Sequence, residues 1–153
     1  EMCIRDSHCS RLLQGHPAII NKLKELGDTP IATCAIVRGE LIFMAQKSER
    51  KAENLHQVHQ FLNDILVYPV DDETADIYGK LKAAILDKFG PKDRARRRKT
   101  ETTKLGFSEN DLWIVAIAQR YELTIVSADS DFERMKEVEE FSVEKWWSPE
   151  HDQ

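Results

Sequence analysis

One short segment constrains the fold more than any other. Residues 123–128 form an almost continuously apolar run that is rich in β-branched side chains. Such a run is typical of a strand in a parallel sheet that is covered on both faces. Residues 30–33, 66–70 and 141–143 are further strand candidates, and stretches with helical spacing of apolar residues separate them. This alternation predicts an α/β sandwich with a mainly parallel central sheet.

Helices are predicted between these strands, and turn residues set their limits. Gly15 and Pro17 interrupt or delay the first helix, and Gly90 with Pro91 ends the fourth. Asp71 or Asp72 is the predicted cap of that fourth helix. The predicted helices span residues 12–26, 35–46, 52–65, 72–89, 108–121 and 132–138.

Composition indicates an ordinary soluble protein. The chain of 153 residues, 41% hydrophobic and 32% charged, fits one domain over residues 1–153. No apolar run is long enough to span a bilayer and no secretory signal is visible. The three cysteines are unclustered, which favours a reduced, cytoplasmic setting without structural zinc. We expect the histidines His8, His16, His56 and His59 at the surface.

Charge is unevenly distributed along the chain. The net charge of −5 argues against a general nucleic-acid coat protein. A basic insertion at residues 91–105 nevertheless concentrates positive charge in a loop or extended helix. Its exposed basic residues are either a solvated surface or an arm that contacts phosphates. The candidate RNA contacts are Arg94, Arg96, Arg97, Arg98 and Lys99.

Acidic residues occupy the places where an α/β sheet usually carries its site. Asp129 and Asp131 directly follow the strand 123–128, although an Asp after a strand often only caps the next helix, and Asp131 or Ser130 could do so here. Asp111 lies three residues after Ser108, as in a capping box, in the first helical turn where the helix dipole favours an anion. Glu40 lies beside apolar helical positions and therefore needs a partner, which could be a distant salt bridge.

These acids have a common purpose if the fold brings them together. Two carboxylates about 4 Å apart repel each other by about 4 kcal/mol at an effective dielectric of 20. A cluster of four therefore requires a cation, and an all-oxygen site favours Mg²⁺ or Mn²⁺ over zinc. Asn110 and Ser108 could hold the water molecules of such an ion.

The acids lie in segments that resemble the PIN-domain family, and most closely its VapC-type toxin ribonucleases. The similar segments are residues 39–41 (Gly-Glu-Leu), 109–116, 123–132 and 143–146. The resemblance extends over nearly the whole chain. It implies a compact three-layer α/β/α sandwich and a Mg²⁺- or Mn²⁺-dependent endoribonuclease.

The resemblance also implies roles for single residues and for partners. Glu40, Asp111 and Asp129 match the metal-binding and catalytic acids of the family. Asp131 would be an additional ligand or a residue that supports the ligands, and Ser127 would support the site by hydrogen bonding. Toxins of this kind are usually homodimers that a cognate antitoxin protein silences by blocking the acidic pocket. The basic insertion would then contact RNA or antitoxin.

The first residues fit the family less well. The family opens with a strand that ends in an acid, and here Asp6 is the nominal catalytic and metal-binding candidate. Arg5 precedes it, at a position that should be buried and where the first acid of the family is expected. Asp6 would then be one residue out of register. Residues 1–7 also match the translated end of a common transposase sequencing adapter, so we interpret them as a non-native segment and set them aside in predicting the fold.

Three functions remain compatible with the sequence. The first is a metal-dependent endoribonuclease of a type II toxin–antitoxin pair, with Asp111, Asp129 and Glu40 holding the ion. The second is a non-catalytic RNA- or partner-binding module, in which the basic insertion supplies the affinity. The third is an aspartate-based phosphotransfer domain, which lacks a clear lysine candidate at a strand end.

Overall fold

A five-stranded parallel sheet forms the centre of the molecule. The computed structural model describes residues 2–28 and 30–147, without the side chains of Asp6 and Ser7. Within these ranges every strand pairing is parallel, and the strand order is β3-β2-β1-β4-β5. The strands are β1 (Met2–Ile4), β2 (Ile31–Cys34), β3 (Leu66–Tyr68), β4 (Thr124–Val126) and β5 (Val143–Glu144).

Helices connect the strands, as parallel pairing requires. They are α1 (Asp6–Leu13), α2 (Pro17–Leu26), α3 (Ala35–Gln46), α4 (Lys51–Asn63), α5 (Asp72–Phe89), α6 (Arg94–Arg98), α7 (Glu109–Arg120) and α8 (Asp131–Met135), with a 3₁₀ turn at Thr102–Leu105. This architecture confirms the predicted α/β/α class with its parallel sheet. Among the described helices, none is both long and apolar enough to cross a membrane.

The first predicted helix is two helices in the structure. Gly15 has a positive φ of 72°, which a side chain would disfavour, and Pro17 begins α2 at its first turn. The chain therefore turns between residues 14 and 16. The interruption that Gly15 and Pro17 predicted is confirmed, but the first helix begins earlier, at Asp6.

Strand β1 is the central strand of the sheet, although it lies within the segment interpreted above as non-native. Met2 and Cys3 pair with Ile31 and Ala32 of β2 on one side. On the other side Ile4 pairs with Val126 of β4. Cys3 and Ile4 are fully buried, so this short strand also belongs to the core. The residue that follows β1 consequently lies in the middle of the carboxyl edge of the sheet.

Helix α7 is buried on nearly all sides. Leu112, Ile114, Val115 and Ile117 are completely buried. Trp113 is half-buried and stacks on Tyr78 of α5, with ring centroids 3.8 Å apart and an interplanar angle of 2°. Such contacts fix the orientation of α7 and, with it, the polar residues of its first turn.

His8 is buried, and the prediction of a surface position was wrong. Because α1 begins at Asp6, His8 faces inward, where its Nε2 accepts a hydrogen bond of 3.2 Å from the Trp146 N–H. The Trp146 and Trp147 rings pack edge-on against the imidazole. Burial, together with the nearby charges of Arg11 and Lys145, lowers the pKa of His8 from 6.5 to about 4. The imidazole is therefore neutral at physiological pH and joins α1 to the segment after β5.

Candidate functional site

The carboxyl ends of β1 and β4 lie side by side and define the candidate site. Strands β2 and β3 extend the sheet on one side of β1, whereas β4 and β5 extend it on the other side. Open parallel sheets commonly bind ligands at such a switch point, which here lies between β1 and β4. The Arg5 N–H donates to the Val126 carbonyl at 3.0 Å and so extends the pairing one residue past β1. The side chains of the residues after β1 and β4 are thereby held close together.

The loop after β4 is organised by hydrogen bonds to its own backbone. The Asp129 N–H donates to the hydroxyl of buried Ser127 at 3.0 Å. The Asp131 N–H donates to Asp129 Oδ1 at 2.9 Å, at the beginning of α8. Ser127 therefore holds the backbone of Asp129 in place. Asp129 acts at the start of α8 in addition to any role in binding a ligand.

Asp111 projects from the first turn of α7 into the same region. The Ser108 hydroxyl accepts a 3.1 Å hydrogen bond from the Asp111 N–H, which confirms the predicted helix cap. Burial raises the pKa of Asp111 to about 6. The charge of Arg5 and the Ser108 hydrogen bond lower this pKa, whereas the charges of Asp129 and Glu40 raise it. Burial has the largest effect on this pKa, but a pKa of about 6 still leaves Asp111 mostly ionised at neutral pH.

Three aspartates converge closely enough to share a cation. Carboxylate oxygens of Asp111, Asp129 and Asp131 all lie within 4.8 Å of one another. Asp111 is only 3% exposed, and its Oδ1 has no aligned hydrogen bond among the described residues. An acid that is buried in this way needs positive charge nearby. The all-oxygen donor set therefore fits a hard divalent cation such as Mg²⁺ or Mn²⁺.

Glu40 joins the site through two polar neighbours. It lies on α3, where the Asn110 amide donates to Glu40 Oε1 at 3.0 Å. Arg5 Nη1 donates to Glu40 Oε2 at 2.8 Å, while Arg5 Nη2 lies 3.0 Å from Asp111 Oδ1. The distant salt bridge considered for Glu40 therefore exists, and its partner is Arg5. Glu40 is not part of the three-aspartate cluster.

The predicted roles of Asp6 and of the basic insertion have different outcomes. Asp6 begins α1, but its side chain lies outside the described residues. The basic insertion forms α6, where Arg97 pairs with Asp87 of α5 at 3.2 Å. The other predicted RNA contacts in this segment are exposed, namely Arg94, Arg96, Arg98 and Lys99. They provide positive charge at the protein surface.

Arg134 is a charged residue at the site that the sequence analysis missed. Its Nη1 lies 3.5 Å from Asp131 Oδ1, and its Nη2 donates to the Leu105 carbonyl at 3.1 Å. Its guanidinium also packs 4.2 Å from the Phe107 ring centroid. The spacing of three residues from Asp131 on α8 was the available signal. Arg134 connects the end of the basic insertion to the acidic cluster.

Solved structures of similar fold come from VapBC proteins. VapBC2 from Rickettsia felis, bound to a DNA fragment of its promoter, has 23% identity and a TM-score of 0.73 over 95% of this chain and 98% of that chain. VapBC-5 from Mycobacterium tuberculosis, a member of the VapBC family of toxin–antitoxin systems, has 24% identity and a TM-score of 0.53 over 75% and 79%. VapC20 from the same organism, a sarcin–ricin loop cleaving toxin, has 15% identity and a TM-score of 0.56 over 88% and 94%.

A family comparison agrees with the shared fold. Among curated proteins, no sequence matches this chain significantly. The family model of the PIN domain, however, matches residues 7–138, from the first turn of α1 to just beyond α8. Because this match covers most of the chain, the protein belongs to the PIN-domain family.

Proposed function

We propose that this protein is a Mg²⁺- or Mn²⁺-dependent endoribonuclease that hydrolyses RNA phosphodiester bonds, and that it is the toxin of a type II toxin–antitoxin pair. The observation that carries the proposal is the convergence of Asp111, Asp129 and Asp131 at the carboxyl edge of the sheet. Membership of the PIN-domain family and the fold shared with VapBC proteins support it.

The residues of the site have distinct roles in this proposal. Asp111, Asp129 and Asp131 would hold the metal, and Ser127 fixes Asp129 through its backbone N–H. When bound, the ion would supply an activated water and positive charge beside the phosphate. Asn110 orients Glu40 at the rim of the site, where its carboxylate can accept a proton or bind a water molecule.

The substrate would be held mainly by positive charge outside the acidic pocket, the name used for the region around Glu40, Asp111, Asp129 and Asp131. RNA phosphates cannot approach four carboxylates without compensating cations. The exposed guanidinium groups of Arg94, Arg96 and Arg98 can provide part of that compensation. The partners in this proposal are an RNA substrate, a cognate antitoxin and a second copy of the chain, within the cytoplasm.

The experiment is a cleavage assay on labelled RNA with Mg²⁺, Mn²⁺ or EDTA, at high protein concentration and long incubation. We expect metal-dependent cleavage that Asp129→Asn abolishes and that the exposed control Asp76→Asn leaves unchanged. Cleavage that persists in EDTA or in Asp129→Asn would refute the assigned site. Salt-dependent RNA binding without cleavage in any variant, including the variants at Arg5 described below, would favour the alternative of a non-catalytic RNA-binding module.

A further inference from the structure

The Arg5 guanidinium lies inside the acidic pocket. It contacts Glu40 at 2.8 Å and Asp111 at 3.0 Å, and the whole residue is only 9% exposed. Its backbone N–H is bound to Val126, and its guanidinium carbon lies 5.6 Å from the Phe132 ring centroid. Contacts at both ends of the residue therefore hold this cation in the pocket.

Arg5 and the expected metal require the same ligand. Asp111 is both the ion-pair partner of Arg5 and a member of the three-aspartate cluster. A guanidinium stays protonated at all physiological pH values, so its charge cannot be removed by titration. A divalent cation that binds Asp111 would also lie close to this positive charge and be repelled by it.

We propose that Arg5 is a resident counter-cation that competes with a divalent metal for the acidic pocket. This inference rests on the proposed function, because it concerns the metal of that same site. Arg5 partly offsets the negative charge of Glu40 and Asp111 when no metal is present, and it reduces metal affinity for the same reason. The chain therefore has a folded site whose own cation partly compensates its acids and makes it bind metal weakly.

Metal binding by calorimetry tests the proposal without depending on activity. We expect Arg5→Gln to bind Mn²⁺ at least tenfold more tightly than the parent chain, because the competing charge is gone. Arg5→Asp should bind more tightly still, since it adds a carboxylate at the end of β1. Arg5→Lys keeps a positive charge and should remain a weak binder. The matched control is Arg120→Gln, which removes an arginine that pairs with Asp71 and Glu73 outside the pocket.

Thermal unfolding provides an independent readout. In EDTA, Arg5→Asp should melt at a lower temperature than the parent chain, because the acids then repel one another without a counter-cation. Mn²⁺ should raise the melting temperature of Arg5→Asp strongly and that of the parent chain only slightly. Equal shifts in the two proteins would overturn the proposal.

The parent chain alone can also refute the inference. Saturable micromolar binding of Mn²⁺ to the unchanged chain would show that Arg5 does not compete, even if every Arg5 variant failed to fold. RNA cleavage by the same variants separates this inference from the proposed function. Tight metal binding by Arg5→Asp without any cleavage would contradict the nuclease and leave the role of Arg5 intact.

Discussion

Replacing Asp111 by asparagine should make the metal-free protein more stable at neutral pH. Asp111 is buried, and its pKa is raised from 3.8 to about 6, mainly by burial. The folded state therefore binds this proton more tightly than the unfolded state does, and stability falls as the pH rises from about 4 through 6. At about 1.4 kcal/mol for each pKa unit, ionised Asp111 lowers the free energy of unfolding by about 3 kcal/mol. The neutral amide of Asp111→Asn avoids that cost, and Arg5 keeps its contact with Glu40.

Urea unfolding in EDTA at several pH values measures the effect. We expect Asp111→Asn to exceed the parent chain in free energy of unfolding by about 2 to 3 kcal/mol at pH 7.5 and by little near pH 4. Asp76→Asn, at an exposed position of α5, should change stability by less than about 0.5 kcal/mol at either pH. A less stable Asp111→Asn at pH 7.5, or a difference that does not depend on pH, would refute the reasoning. The same variant should lose metal-dependent cleavage, so stability and function change in opposite directions.

Three further predictions concern other parts of the molecule. Because the pKa of His8 is lowered to about 4, its contribution to stability is present above pH 6.5 and is lost as the pH falls through 4. The free energy of unfolding of His8→Gln, measured in urea at several pH values, should therefore fall by up to about 3 kcal/mol less on acidification than that of the parent chain. Ser127→Ala should lower the free energy of unfolding by about 1 kcal/mol, because the Asp129 N–H loses its hydrogen bond. Added to Arg5→Asp, the same substitution should weaken Mn²⁺ binding in calorimetry. Replacing Arg94, Arg96 and Arg98 together by alanine should weaken RNA binding and reduce its dependence on salt concentration, measured by fluorescence anisotropy.

Each of these predictions has an outcome that contradicts it. An unchanged pH dependence in His8→Gln would mean that the imidazole is not held neutral by burial. Unaltered metal affinity in Ser127→Ala would show that the Asp129 loop is positioned by other contacts. An unchanged RNA affinity after replacement of the α6 arginines would mean that the phosphate contacts lie elsewhere. The non-charged substitution Gln60→Ala, at an exposed position of α4, serves as a common surface control.

Local signals in the sequence predicted the aspartates at this edge of the sheet well. Ser108 and Asp111 form a cap whose geometry depends only on neighbouring residues, and Asp129 follows a strand that its apolar run identifies. Both positions are therefore readable from short segments. The sheet order that brings them together follows from general rules for parallel strands.

Contacts between distant segments could not be predicted in the same way. Nothing near Glu40 in the sequence indicates that Arg5 is its partner, because the contact exists only once β1 lies between β2 and β4. The burial of His8 depends on Trp146, at the other end of the described chain. The sequence indicated that Arg5 lies at a position that should be buried, but its ion pairs with Glu40 and Asp111 are evident only in the structure.

The central position of β1 has a consequence for when the protein can become active. Its partner β4 begins at Thr124, so a growing chain leaves one side of β1 unpaired until most of the sequence has been synthesised. The acids come from α3, α7, the loop after β4 and the start of α8, so no shorter folded intermediate contains all of them. Pairing across such long sequence separations is slow compared with helix formation. A translating ribosome would consequently carry a chain that cannot form the complete three-aspartate cluster before residue 131 has emerged.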